Sequence, residues 1–398
     1  RAVSAAQACH ASGALSDLRP VERGRLVRKM GEYILGNIDE IAMVLTREAG
    51  KPLWESRIEV EGTARFFEYY GCLAESLDGR SIPLGASYYD FTSYEPYGVS
   101  AHVIPWNFPL ETTARSLAPA LATGNACIVK TPELAPLTNA YLAKAAEFAG
   151  LPRGAVNILC GYGQGAGAAL AAHSGVNQIV FTGSVQTGIA IATAAAKNVV
   201  PCVLELGGKS AAIVAEDADL DNLVANIRWG IFFNSGQICS AMSRLIVPQS
   251  MQAEIVARVE AMATSLAVGP GIDQIEVGPT MGAMISEPQR DRLVTGGRKL
   301  NQPGAFMQPT VFDGVTPDME IAQTEVFGPV LSILSYKTDD EAIAIANGTE
   351  FGLVGGVFTR DLDRAMRMSK TLRAGQVFVN EWFAGGVETP FGGFGKSA

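Results

Sequence analysis

Short unbroken apolar runs alternate along this chain with longer stretches in which apolar positions recur every three or four residues. The second pattern predicts amphipathic helices; the first, between turn residues, predicts strands buried on both faces. The spacing predicts helices over Val21–Leu35 and Ile38–Leu45, the second closed by Gly50-Lys51-Pro52. A third runs from Ser56 to Leu77, with Phe66, Phe67 and Tyr70 on its buried stripe. Arg80–Tyr97 turns to polar–aromatic alternation and predicts a half-exposed hairpin around Tyr88–Tyr94. Strands are then predicted at Val99–Ile104, Asn125–Lys130, Ala155–Leu159, Gln178–Phe181, Val203–Glu205 and Ala211–Val214. Helices through Leu121, over Asn139–Ala149, to His173 and to Ala196 separate the first five.

Beyond Cys239 the alternation restarts. Strands are predicted at Leu245–Val247, near Phe312, at Val330–Ser335, at Gly355–Phe358 and finally at Gly375–Val379. Helices at Met251–Leu266, Asp339–Ala346 and Leu362–Ser369 lie between them. This rhythm predicts an α/β protein with parallel sheets covered by helices on both faces, in two units.

Composition narrows the function. With 398 residues, 48% of them hydrophobic and 18% charged, the chain can bury a large interior. A net charge of −9 with scattered basic residues argues against nucleic acid or an anionic membrane as partner. No apolar run is long enough to span a bilayer and no secretory leader is evident, so a soluble, cytoplasmic protein is expected; Arg1 is read as the start of a fragment. Six dispersed cysteines without a C-x-x-C pair fit a reducing compartment, and three dispersed histidines give no basis for a metal site.

Chemistry is concentrated in Gly230–Arg244, GIFFNSGQICSAMSR, where Cys239 stands among small residues that leave its sulfur approachable. A lone cysteine is more often a small buried hydrophobe, but Glu205, between Leu204 and Leu206 and before Gly207-Gly208, is a carboxylate costly to bury without a task. Two prolines around Trp106-Asn107 fix the direction of the Asn107 amide at the end of a strand, a suitable oxyanion donor. The loop from Gly161 fits the loose dinucleotide pattern G-x-G-x-x-A, a weak signal alone. Gly208-Lys209-Ser210 and Gly395-Lys396-Ser397 end like phosphate-binding P-loops, yet Val203 and Pro390 stand where the leading glycine is required.

The segments Pro105-Trp106-Asn107-Phe108-Pro109-Leu110, Lys130-Thr131-Pro132-Glu133, Phe181-Thr182-Gly183-Ser184, Leu204-Glu205-Leu206-Gly207-Gly208-Lys209-Ser210, Gly236-Gln237-Ile238-Cys239, Glu325-Val326-Phe327-Gly328-Pro329 and Pro390-Phe391-Gly392-Gly393 occur in an order that resembles the NAD(P)-dependent aldehyde dehydrogenase superfamily over nearly the whole length. The resemblance implies a Rossmann-type NAD-binding domain (1–79 and 98–207), an α/β catalytic domain (208–394) and a small bridging and oligomerisation hairpin (80–97, with 395–398). It implies Cys239 as nucleophile, Glu205 as general base and Asn107 as oxyanion donor. NAD, rather than NADP, would be held by Ile104, Pro105, Trp106, Lys130, Glu133, Gly163, Gly167, Phe181, Gly183, Ser184, Leu206, Glu325 and Phe327. The preference rests on Glu133, a carboxylate that accepts from a ribose 2′-hydroxyl but repels a 2′-phosphate.

By the same resemblance Phe108, Arg115, Phe233, Ile238, Ser240 and Phe391 line a substrate channel, Arg115 reading a polar or anionic group or simply meeting solvent or a salt bridge. The implied product is a carboxylic acid, released from a cysteine thioester by a glutamate-activated water, and a homodimer or homotetramer is implied. Two alternatives stay open: a CoA-acylating semialdehyde dehydrogenase, and a catalytically silent protein on the same fold. Three departures from the family pattern stand out: no strand-rich lead-in, an abrupt junction at Arg292-Leu293 in place of about four further turns of helix, and no final strand after Ala398.

Overall fold

The computed structural model describes residues 1–291 and 298–398, so the Arg292-Leu293 junction lies outside the described residues. The chain divides into two compact units, Arg1–Val44 with Arg57–Thr182 and Thr187–Val203, and Leu45–Ser56 with Gly183–Gln186 and Leu204–Ala398.

One sheet has five strands, β1 (Val99–Val103), β2 (Ala126–Lys130), β3 (Val156–Leu159), β4 (Gln178–Thr182) and β5 (Cys202–Glu205), in the order β3-β2-β1-β4-β5. The β1–β2, β1–β4 and β2–β3 ladders are parallel. Every residue of β1 and β2 is buried, the polar Ser100, His102 and Lys130 included. Helix Pro20–Gly36 packs on Ala140–Ala149 and on Pro109–Ala122 within the first unit.

The second unit is built on six strands: β6 (Ala211–Val214), β7 (Arg244–Pro248), β8 (Thr310–Phe312), β9 (Val330–Tyr336), β10 (Val354–Phe358) and β11 (Gln376–Val379). Their order is β8-β9-β7-β6-β10-β11 and all five ladders are parallel. Ile213, Ile246, Leu334 and Val357 from four of these strands pack with Ile343, Met368 and Leu372 into one core. Helix starts carry the expected caps: Asp219 accepts from the amides of Asp221 and Asn222, Thr338 from Glu341 and Asp361 from Arg364. Arg244 is buried without a carboxylate partner among the described residues; it donates to the carbonyls of Lys209, Ile345 and Ala346, the last two in the final turn of helix Asp339–Asn347, where a cation is favoured.

The strand and helix expectations hold to within a few residues from Val99 onward, with local corrections. The hairpin is reduced to a two-residue antiparallel ladder, Ser81–Ile82 on Asp90–Phe91, and its aromatics are exposed rather than half-exposed: Tyr89 is 100% and Phe91 76% accessible. Two strands with no sheet to pack on lack the buried face that would extend them. The expected helix to His173 is a π-helical turn, Gly163–Gly167, running into a four-residue helix, Ala168–Ala171. Among the described residues two helices of eight or more residues went unpredicted, besides the short Glu287–Asp291 and Glu320–Gln323. Ala2–Ala11 is so rich in alanine that its faces scarcely differ, and Leu220–Ile227 runs on into a π-helical turn, Arg228–Phe232, that shifts its apolar period.

Candidate active site

In the first unit the candidate groups follow strand ends. Ile104 leaves β1 with its amide donated to the Lys130 carbonyl at 3.2 Å, and Pro105, Trp106, Asn107 and Phe108 lead into helix Pro109–Ala122. Asn107 is buried, and Arg115 lies half-buried on that helix, close enough to Tyr70 to favour its phenolate. The start of the helix is held by Glu59, whose Oε1 accepts from the amides of Leu110 and Glu111 at 3.0 and 3.3 Å.

Lys130, the last residue of β2, is 3% exposed and donates from Nζ to Glu133 Oε2 at 2.8 Å. Desolvation pushes the Glu133 carboxyl up, but the Lys130 ammonium and backbone amides, Gly163's among them, outweigh it and hold it below the usual carboxylate range. A Cβ on Gly163 would stand 3.9 Å from Glu133 Oε1, and one on Gly167 4.0 Å from Lys130 Cε. Four predicted cofactor residues are therefore together, a donor and an acceptor beside two glycines, a set that fits a ribose diol. Phe181 is buried in β4.

In the second unit Gly183 and Ser184 precede helix Val185–Ala196, and the Gly183 amide donates to the Glu205 carbonyl at 2.9 Å. Glu205 ends β5, half-buried, its Oε1 3.8 Å from where a Cβ of Gly392 would be, one residue past Phe391. The Leu206 amide donates to the Ser397 carbonyl, and the Ser397 hydroxyl to the Gly207 carbonyl at 2.7 Å, so the turn after Glu205 is tied to the end of the chain. Gly208 has two tasks. Its amide donates to Glu325 Oε1 at 2.8 Å, and its lack of a side chain admits the Cys239 carbonyl, which a Cβ would meet at 2.1 Å. The other Glu325 oxygen lies 2.6 Å from where a Cβ of Gly207 would project. Burial pushes the Glu325 carboxyl up to about 7, against the Gly208 amide and Lys209.

The turn before Cys239 is irregular. Asn234 and Ser235 have φ of +49° and +53°, and Gly236 follows at +70°, its missing side chain making way for the Gly328 carbonyl, which a Cβ there would meet at 2.2 Å. Consecutive left-handed non-glycine residues each cost about 1–3 kcal/mol and persist only where the surroundings hold them. Here Gln237 donates from Nε2 to the Asn234 carbonyl and accepts the Ile285 amide, while Ser235 Oγ donates to the Gly282 carbonyl. Cys239 itself is half-buried; Ile238 and Ser240 beside it are buried. Phe233 packs against Trp54 and Trp229, with ring centroids 5.8 and 5.6 Å apart. Phe327, two residues past Glu325, also has positive φ, +58°.

Sequence reasoning missed Glu55, Glu59 and the structural task of Gly208. Two glutamates four residues apart at a helix start, on one face of the helix, and a glycine in a motif already singled out, were the available signals. Among the described residues no cluster of three or more histidine, cysteine or acidic side chains is placed to hold a metal ion, and no helix is long and apolar enough to cross a membrane.

The model of the aldehyde dehydrogenase family matches residues 1–398. The chain belongs to the aldehyde dehydrogenase family. It is 40% identical over 394 residues to human (Homo sapiens) retinal dehydrogenase 2, covering 94% of this chain and 75% of that protein. It is 42% identical over 410 residues to the mitochondrial aldehyde dehydrogenase family 2 member B4 of Arabidopsis thaliana, covering 100% of this chain and 76% of that one. Among solved structures it is similar to the NAD+ complex of an aldehyde dehydrogenase from Bacillus cereus, with a TM-score of 0.96 and 34% identity, covering 100% of this chain and 83% of that chain. Membership of this family makes aldehyde oxidation the activity of this aldehyde dehydrogenase.

Proposed function

We propose that this aldehyde dehydrogenase converts an aldehyde to a carboxylic acid by covalent catalysis at Cys239. The observation that carries the proposal is the packing of the second unit: the Cys239 backbone sits against Gly208, Gly208 holds Glu325, and Glu205 stands at the end of the strand leading into the same glycine pair. The Cys239 thiolate adds to the aldehyde carbon and turns the carbonyl oxygen into an alkoxide, for which the Asn107 amide and the Cys239 N–H are the donors. When bound, NAD supplies the hydride acceptor that leaves the carbon at the acyl level of oxidation. Cys239 then carries a thioester, and Glu205 takes a proton from the water that attacks it, releasing the acid and regenerating the thiolate.

In this reading residues 1–79 and 98–207 make the NAD-binding domain, 208–394 the catalytic domain, and 80–97 with 395–398 the bridging and oligomerisation element. Lys130 and Glu133 hold the adenosine ribose beside Gly163 and Gly167; Ile104, Pro105, Trp106, Phe181, Gly183, Ser184 and Leu206 complete the binding surface, and Glu325 and Phe327 serve the nicotinamide ribose. Glu133, held ionised by Lys130, favours a 2′-hydroxyl and hence NAD over NADP. Phe108, Arg115, Phe233, Ile238, Ser240 and Phe391 form the substrate channel. The exposed aromatics of residues 80–97 support self-association as a homodimer or homotetramer, which light scattering measures directly.

The decisive experiment is a single-turnover assay with a panel of aliphatic, aromatic and carboxylated aldehydes. Glu205→Gln is expected to give one equivalent of NADH per site and an acyl adduct on Cys239 visible by intact mass, followed by slow turnover. Cys239→Ser is expected to give neither. An active Cys239→Ser enzyme would overturn the proposal.

A further inference from the structure

Leu45–Ser56 belong to the second unit although they lie far upstream of the rest of it. This segment includes the start of helix Leu53–Leu73, and with it Glu55, which is 1% exposed. Its neighbour Trp54 meets Trp229 edge-on at 5.4 Å and Phe233 at 5.8 Å, and burial pushes the Glu55 carboxyl up to about 8 against the opposing pull of the buried Lys51 and the Asn234 amide. A carboxylate in such a place is costly unless it performs a task.

Its hydrogen bonding identifies that task. Glu55 Oε2 accepts the amide of Asn234 at 3.0 Å, while Oε1 has no hydrogen-bond partner among the described residues. Asn234 is the first of the two left-handed non-glycine residues of the thiol-bearing turn, and its amide follows Phe233, whose ψ of 140° already departs from helical geometry. The bonds that Gln237 and Ser235 make from their side chains act after that point, whereas Glu55 holds the amide at the entry.

We infer that Glu55 is a positioning residue for the nucleophile: by accepting the Asn234 amide it fixes the left-handed Asn234–Ser235 pair and so the place of the Cys239 sulfur five residues on. The inference rests on the reading of Cys239 as nucleophile. A misplacement of about 1 Å is enough to lower rates about 100-fold, so a single buried acceptor at the root of the turn has large leverage over the thiol.

The test measures alkylation of Cys239 by iodoacetamide, kcat and KM for an aldehyde, and NADH affinity by fluorescence, in the full chain. Glu55→Gln keeps a neutral side-chain oxygen acceptor of the same reach and is expected within about threefold of wild type. Glu55→Asp keeps the carboxyl group but withdraws it from Asn234, and Glu55→Ala removes it. Both are expected to lower the alkylation rate and kcat about 10- to 100-fold, with KM and NADH affinity held within about twofold. Should Glu55→Ala fail to fold, the Asp and Gln pair carries the comparison. Equal rates for Asp and Gln, or a loss of NADH affinity in step with alkylation, would overturn the inference. If instead Cys239→Ser retains dehydrogenase activity, it is the nucleophile reading that fails, whatever the Glu55 variants do.

Discussion

The first unit presents Asn107, Lys130 and Glu133 just beyond the ends of two fully buried parallel strands, whereas the second presents Cys239 after two left-handed non-glycine residues held by buried side chains. Positive φ outside glycine follows the same division: Asn234, Ser235, Phe327, Asn380 and Phe383 lie in the second unit and Val199 in the first. In the proposed reading the difference reflects what each set of residues has to do. Ribose and pyrophosphate are recognised by hydrogen bonds that tolerate a few tenths of an ångström, and the end of a parallel strand supplies such groups without strain. A nucleophile must meet one carbon along one line, and fixing it there takes backbone geometry that the chain would not adopt unaided.

Glycine substitutions provide the sharpest way to break that comparison. Gly208→Ala forces a methyl to within 2.1 Å of the Cys239 carbonyl, so backbone must move. We expect kcat to fall about 100-fold or more, with a stability loss of about 1–3 kcal/mol measured by denaturant unfolding. Gly167→Ala in the first unit places its methyl 4.0 Å from Lys130 Cε, an ordinary contact, and kcat is expected to stay within about threefold while only the NAD KM rises. Similar losses at both sites would erase the distinction between tolerant and exact positioning.

A comparable effect is expected from Asn107→Ala, which removes the proposed alkoxide donor: about 3 kcal/mol of transition-state stabilisation, seen in kcat rather than in KM. Glu133→Gln removes the charge that disfavours a 2′-phosphate, and the ratio of kcat/KM for NADP to that for NAD should rise about 10-fold. Arg115→Leu sharpens the reading of the channel: a loss confined to carboxylated aldehydes supports substrate recognition, and an equal loss on neutral ones removes it.

The smallest effect is on stability. Lys209 is 2% exposed with no hydrogen-bond partner for Nζ among the described residues, and burial pushes its pKa down to about 7, with Arg244 adding to the shift and Glu325 opposing it. Between about 7 and the ordinary lysine value the unfolded chain binds a proton that the folded chain does not, so stability rises with pH across this window. Lys209→Met removes that dependence. Its advantage in melting temperature over wild type is therefore expected to be largest below about pH 7 and to shrink as pH rises towards 10.5.

The order of strands and helices from Val99 onward, the strand ends bearing Lys130 and Glu205, and the segment bearing Cys239 were all determined by the sequence alone. Apolar periodicity and turn residues act locally, and buried parallel strands leave an unmistakable run of apolar residues. Folding alone decided that Glu55 reaches Asn234, that Gly208 admits the Cys239 carbonyl, and that Gly163 and Gly167 flank the Lys130–Glu133 pair. These relations join residues far apart in the chain through single hydrogen bonds and missing methyl groups. Neither leaves a periodic trace in the sequence, because a close approach is made by the shape of the whole unit and not by the residues on either side of it.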